Sequence, residues 1–193
     1  MKKVKIDLFT VLWFIFIIYY ENSIIIPFLL AITLHELGHI LMSLFFEVRI
    51  NRIYISVLGA RLEIGGHISY FQEIMIALAG PAFGILGFLL TLKPAAYSQS
   101  LTNFSVISLA LSLFNLFPID ILDGGRITKC LLCLLFSLEK AEKIMQIISF
   151  FILFFFWLIS VYLMIKLSGG LSSFVFCAIF FLKCFIFDAK SEI

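Results

Sequence analysis

Thr33-Leu34-His35-Glu36-Leu37-Gly38-His39 lies inside an apolar run that extends from Ile24 to Phe46. Ionisable groups are costly in hydrocarbon, so a glutamate and two histidines in such a run mark a functional site. The pattern is H-E-x-x-H. On a helix, positions i and i+4 share a face, so His35 and His39 can grip one metal ion together. Glu36 follows the first ligand directly, within reach of a water at the metal. In a membrane-grade segment this pattern predicts the centre of an intramembrane zinc protease.

The composition agrees with that setting. The chain is 63% hydrophobic and 13% charged, against roughly half and roughly a quarter in an ordinary soluble domain. It reads as a polytopic membrane protein, with residues 1–193 as a single membrane domain. No basic block argues for a nucleic-acid partner. Lys2, Lys3 and Lys5 precede an apolar run with no small-x-small cleavage site after it, so the first segment is expected to stay attached. Cys130 and Cys133 form a Cys-x-x-Cys pair. No second pair is suitably placed to complete a structural zinc site, so this pair reads as two small apolar residues on a helix.

Six apolar runs stand out: 8–20, 24–46, 74–92, 104–122, 144–165 and 171–187. Judged against the ~20 residues a spanning helix needs, they predict an all-α membrane protein with six transmembrane helices. With six spans, twelve of the fourteen Lys and Arg fall on one side, and only Lys93 and Lys166 on the other. That bias predicts cytoplasmic termini. Between the second and third runs, Arg52-Ile53-Tyr54-Ile55-Ser56-Val57 is rich in strand formers. Leu58-Gly59-Ala60 can turn, and Arg61-Leu62-Glu63-Ile64 alternates polar and apolar. These residues predict a membrane-surface β-hairpin whose free edge can accept an extended peptide. Ala79-Gly80-Pro81, inside the third run, predicts a kink or a tight helix contact.

A catalytic zinc takes three protein ligands and leaves a position open. The third is sought among Asp123, Glu63 and His67, with Asp120 a near competitor to Asp123. The second and fourth runs cross in the same direction. His35 and His39 therefore lie towards the cytoplasmic end of one, and Asp123 at the cytoplasmic end of the other, which favours Asp123. Glu63 lies in strand-like, charged sequence, and His67 reads as a loop histidine.

His35-Glu36-Leu37-Gly38-His39, Ala79-Gly80-Pro81, Asn115-Leu116-Phe117-Pro118 and Leu122-Asp123-Gly124-Gly125 resemble, in order and spacing, the site-2 protease family of intramembrane metalloproteases. The likeness is nearest to the stage IV sporulation protein FB branch. It implies one zinc ion on His35, His39 and Asp123, with Glu36 as catalytic base. Asn115, Pro118 and Gly124 would contact the substrate. It also implies a membrane-associated protein substrate (in that branch an inactive pro-sigma factor), membrane-protein inhibitors, and a bacterial cell membrane such as that around the forespore. Gly84 stands where the family often has Asn after A-G-P. A C-terminal CBS domain and a PDZ insertion are not expected.

Two rival classes use the same residues. A small metal-binding transporter or channel would also place His and acid side chains in the membrane. It would, however, show paired inverted repeats, and none is seen. An inactive membrane chaperone of the same family would not need Glu36.

Overall fold

The computed structural model describes residues 4–6, 22–56, 59–65, 68–95 and 98–166. The chain forms two compact units, Met1–Phe117 and Pro118–Ile193. The apolar runs 8–20 and 171–187 lie outside the described residues.

Among the described residues, the first unit holds three helices and a small sheet. The helices are α1 (Asn22–Phe45), α2 (Tyr70–Ala95) and α3 (Gln99–Asn115), and each packs against the other two. Small residues let their backbones approach closely. Ala31, Ala77, Ala79, Ser43, Ser108 and Ser112 are all buried. The hydroxyls at these contacts bond back to helix carbonyls: Ser43 Oγ to His39 O at 2.7 Å, Ser112 Oγ to Ser108 O at 2.7 Å, and Thr91 Oγ1 to Gly87 O at 2.7 Å. A polar group in an apolar setting has to find such a partner inside the protein. Outward faces carry large apolar side chains instead, such as Phe45, Leu90 and Phe71, at 77%, 68% and 65% exposure. A soluble monomer rarely shows so much apolar surface, whereas lipid covers it.

The sheet has the order β1 (Val4–Ile6), β2 (Arg49–Ser56), β3 (Gly59–Gly65). β2 and β3 run antiparallel, with Ile53 opposite Leu62 and Tyr54 opposite Arg61, and the register is irregular between Ile50 and Arg52. β1 joins β2 in parallel, Val4 opposite Ile53. No local sequence signal had pointed to β1, because its partner lies some fifty residues away.

α1 ends in a helix stop closed by two hydrogen bonds. Glu47 N–H donates to Leu44 O at 3.0 Å and Val48 N–H to Ser43 O at 2.9 Å. Glu47 sits at φ 56° between them, which makes this a Schellman motif with a non-glycine residue at its left-handed position. α2 starts at a capping box. Ser69 N–H donates to Gln72 Oε1 at 2.9 Å, and Gln72 N–H donates to Ser69 Oγ at 3.2 Å.

The second unit holds α4 (Asp123–Leu135) and α5 (Leu138–Lys166). Asp120 N–H donates to Ser149 Oγ at 3.0 Å, tying the loop before α4 to α5. Lys129 Nζ meets Glu142 Oε1 at 2.9 Å. Burial pulls the Lys129 pKa down, but the bond to Glu142 and the charges of Asp120 and Glu142 outweigh it, so the pKa rises above its ordinary value.

The described helices correct one expected boundary. The run at 104–122 is not one helix. α3 covers Gln99–Asn115, and the chain turns before α4 begins at Asp123. Pro118 explains the break, since it lacks an N–H and disfavours helical backbone at the residue before it. Asp123 therefore opens a new helix rather than closing the fourth apolar one. Three described helices are long and apolar enough to cross a membrane: Ile24–Phe45, Tyr70–Lys93 and Leu138–Leu163.

Candidate metal centre

His35 and His39 face the same side of α1 and are both buried, each at 4% exposure. Their Nε2 atoms lie 3.2 Å apart, and the rings meet edge to face with centroids 4.9 Å apart. The other nitrogen of His39, Nδ1, lies 2.8 Å from the carbonyl oxygen of Ile76 on α2. A carbonyl only accepts, so Nδ1 carries the proton and Nε2 presents its lone pair. That is the tautomer a metal-ligating histidine needs, held by a backbone partner.

α2 comes this close because neither helix carries a side chain at the contact. A Cβ on Gly38 would meet the Ala79 carbonyl carbon at 2.8 Å and Gly80 Cα at 3.1 Å. A Cβ on Gly80 would run into His39 Nε2 and lie 2.9 Å from His35 Nε2. Ala79-Gly80-Pro81 thus makes a tight helix contact, one of the two outcomes its sequence allowed, and α2 continues through it from Tyr70 to Ala95. Glu36 is half-buried on α1, next to His35.

Within the second unit, Asp123 is buried, at 8% exposure, in the first turn of α4. A carboxylate is favoured there by the helix dipole. Arg126 Nη1 lies 3.8 Å from Asp123 Oδ1, one turn on. Gly124 is buried beside it, and its carbonyl accepts from Thr128 Oγ1 at 2.7 Å. Gly125 has to be glycine, because a Cβ would collide with the Ile119 carbonyl oxygen and lie 2.8 Å from Asp120 Cα. Asp120 is half-buried in the loop before α4, as is Pro118.

Asn115 closes α3 in the first unit. It is buried, and its Nδ2 donates to Leu111 O at 3.0 Å. Glu63 stands in β3 opposite Arg52 in β2. His67 lies outside the described residues. Cys130 and Cys133 form no disulfide. The Ile76 carbonyl has no counterpart in the sequence reading, because a backbone acceptor carries no residue-type signal. Gly80 did carry one, as half of a Gly-Pro pair inside an apolar helix.

Paired buried imidazoles on a long apolar helix, with a glutamate beside the first, make a candidate metal site of the H-E-x-x-H kind. Residues 92–158 match a family model described as Peptidase family M50. Stage IV sporulation protein FB of Bacillus subtilis is 31% identical over 126 residues, 60% of this chain and 42% of that protein. Zinc metalloprotease MJ0392 of Methanocaldococcus jannaschii is 29% identical over 121 residues, 59% of this chain and 35% of that one. A putative zinc metalloprotease of Synechocystis, sll0528, is 34% identical over 108 residues, covering 51% and 28%. The chain thus spans less than half the length of these relatives. The solved site-2 protease from Methanocaldococcus jannaschii superposes with a TM-score of 0.70 at 23% identity, over 91% of this chain and 88% of that one. Residues 92–158 thus resemble the Peptidase family M50 model, and the chain has the fold of the solved site-2 protease.

Proposed function

We propose that this protein is a zinc-dependent endopeptidase that cleaves membrane-associated proteins at the level of the bilayer. The observation that carries the reading is the buried His35–His39 pair, with His39 Nδ1 donating to the Ile76 carbonyl so that its Nε2 presents a lone pair to a metal. The space bounded by Gly80 fits a metal, and two imidazole nitrogens with a carboxylate oxygen are a donor set that suits zinc. We assign His35, His39 and Asp123 to hold the ion, two imidazoles and a carboxylate being the three protein ligands a catalytic zinc takes. Bound zinc supplies Lewis-acid polarisation of a peptide carbonyl and acidifies water.

The rest of the chemistry belongs to side chains of the chain. Glu36 takes a proton from the attacking water and returns it to the leaving amine, so that water adds across one peptide bond. A helical substrate hides its carbonyls and must unwind first, and the edge of the β2–β3 pair can hold it extended. Asn115, Pro118 and Gly124 are assigned to contact that extended backbone. Asp120, Asp123 and Arg126 give the water path a polar lining.

Residues 1–193 make one membrane domain of six spans in this reading, with cytoplasmic termini as the Lys and Arg distribution favours. The similarity to stage IV sporulation protein FB supports a finer version. In it the protein acts in the bacterial membrane around a forespore, on an inactive pro-sigma factor, and membrane proteins restrain it until a signal arrives.

The test is Glu36→Gln. Cleavage of a membrane-tethered reporter should be lost while zinc stays bound, and unaltered cleavage would refute the assigned role. Zinc-dependent ion flux without cleavage would favour a transporter. For the third ligand, Asp123→Ala should lower zinc content while Glu63→Ala and His67→Ala leave it largely intact. Loss of the metal in Glu63→Ala alone would reassign the ligand.

A further inference from the structure

Gly80 is placed differently from the other glycines of α2. At Gly87 an added Cβ would meet a leucine methyl, Leu34 Cδ2, at 2.5 Å. At Gly84 it would meet the Ser112 hydroxyl. Both are ends of side chains whose displacement would cost packing and, at Ser112, a hydrogen bond to Ser108 O, without touching the histidine pair. At Gly80 the obstacles are ring atoms: His39 Nε2, His39 Cε1 at 2.5 Å and His35 Nε2 at 2.9 Å. These rings cannot swing aside cheaply. His39 is tied at Nδ1 to Ile76 O, 2.8 Å away, and the two rings rest edge to face at an interplanar angle of 79°. Nor can α2 retreat without breaking that bond and opening the Gly38–Ala79 contact. Ile76 and Gly80 are one helical turn apart and so share a face of α2. The same face supplies a carbonyl that orients His39 and, one turn later, an absence of side chain at the atoms the carbonyl has oriented.

We propose that Gly80 is a positioning residue for the metal centre: its missing Cβ keeps clear the space at His35 Nε2 and His39 Nε2 where the ion is held. The inference rests on the zinc reading above and assigns a role to a residue with no functional group of its own. A single added methyl at Gly80 displaces the rings or occupies the ion's place. The same methyl at Gly84 burdens only the packing of α2 on α3.

The experiment compares wild type, Gly80→Ala and Gly84→Ala, each purified as the full chain in detergent. Bound zinc per chain is measured, together with the visible absorption of the cobalt-substituted protein. Wild type and Gly84→Ala should bind about one ion, while Gly80→Ala should lose affinity about tenfold or more, the scale seen when support around a metal ligand is removed. Its cobalt bands should weaken accordingly. Wild type without bound metal would sink the zinc reading itself. Gly80→Ala matching wild type would overturn this inference alone, as would equal metal loss in Gly84→Ala.

A second measurement uses chelator-stripped protein. The drop in thermal midpoint caused by Gly80→Ala should shrink in a His39→Ala background, because the ring it strikes is gone. Equal drops in both backgrounds would overturn the proposal. If Gly80→Ala does not accumulate, recovery of the His39→Ala, Gly80→Ala double variant supports it, and continued failure counts against it.

Discussion

Glu47 shows how a single residue can carry strain for the sake of geometry. It holds φ 56°, a region that costs an L side chain about 1–2 kcal/mol. Two hydrogen bonds that close α1 and turn the chain towards β2 keep it there. Glu47→Gly should therefore raise stability by about 1 kcal/mol, read as a higher thermal midpoint in detergent. A lower midpoint would mean the glutamate side chain contributes more than its backbone costs. Nothing in Phe46-Glu47-Val48 announces this turn, because the usual glycine is absent. The histidine pair was legible for the opposite reason: its geometry follows from i, i+4 spacing on one helix. The acceptor that orients His39 was not, since Ile76 contributes only a carbonyl from another helix.

Hydropathy put the start of α2 late, at residue 74, because the polar residues in the first turn of the helix, which begins at Tyr70, break the apolar signal. Ser69-Tyr70-Phe71-Gln72 is a capping box in sequence and in structure. Ser69→Ala should lower the stability of the protein by about 1 kcal/mol, checked by thermal unfolding, while Ser69→Asp should retain most of it. An unchanged midpoint for Ser69→Ala would show that packing alone holds the start of α2. Hydropathy misjudged the end of α3. The apolar character of residues 104–122 continues past Asn115, but Pro118 stops the helix, and hydrophobic composition does not see backbone hydrogen bonding. The pairing of β1 with β2 escaped for a related reason. Three residues carry no period, and their partner is remote in sequence.

For the whole molecule, composition and charge distribution decide what surrounds the chain. Leucine and phenylalanine side chains that would be a liability in water cover the outward faces of the described helices, and the hydroxyls of Ser43, Ser112 and Thr91 turn to helix carbonyls. In the six-span reading, α3 is the short span among the described helices. Its 17 residues, at 1.5 Å each, reach about 25 Å, against a hydrocarbon core of ~30 Å. A bilayer meets such a shortfall by pinching towards the protein, at a modest elastic cost per ångström of mismatch. Cleavage should accordingly be faster in vesicles of short-chain than of long-chain phosphatidylcholine, and a rate independent of chain length would count against a pinched bilayer at α3. In the six-span reading, a helix that stops early at Asn115 would make membrane thickness itself an input to this protein, so that the same chain would cleave at different rates in membranes that differ in nothing but the length of their lipids.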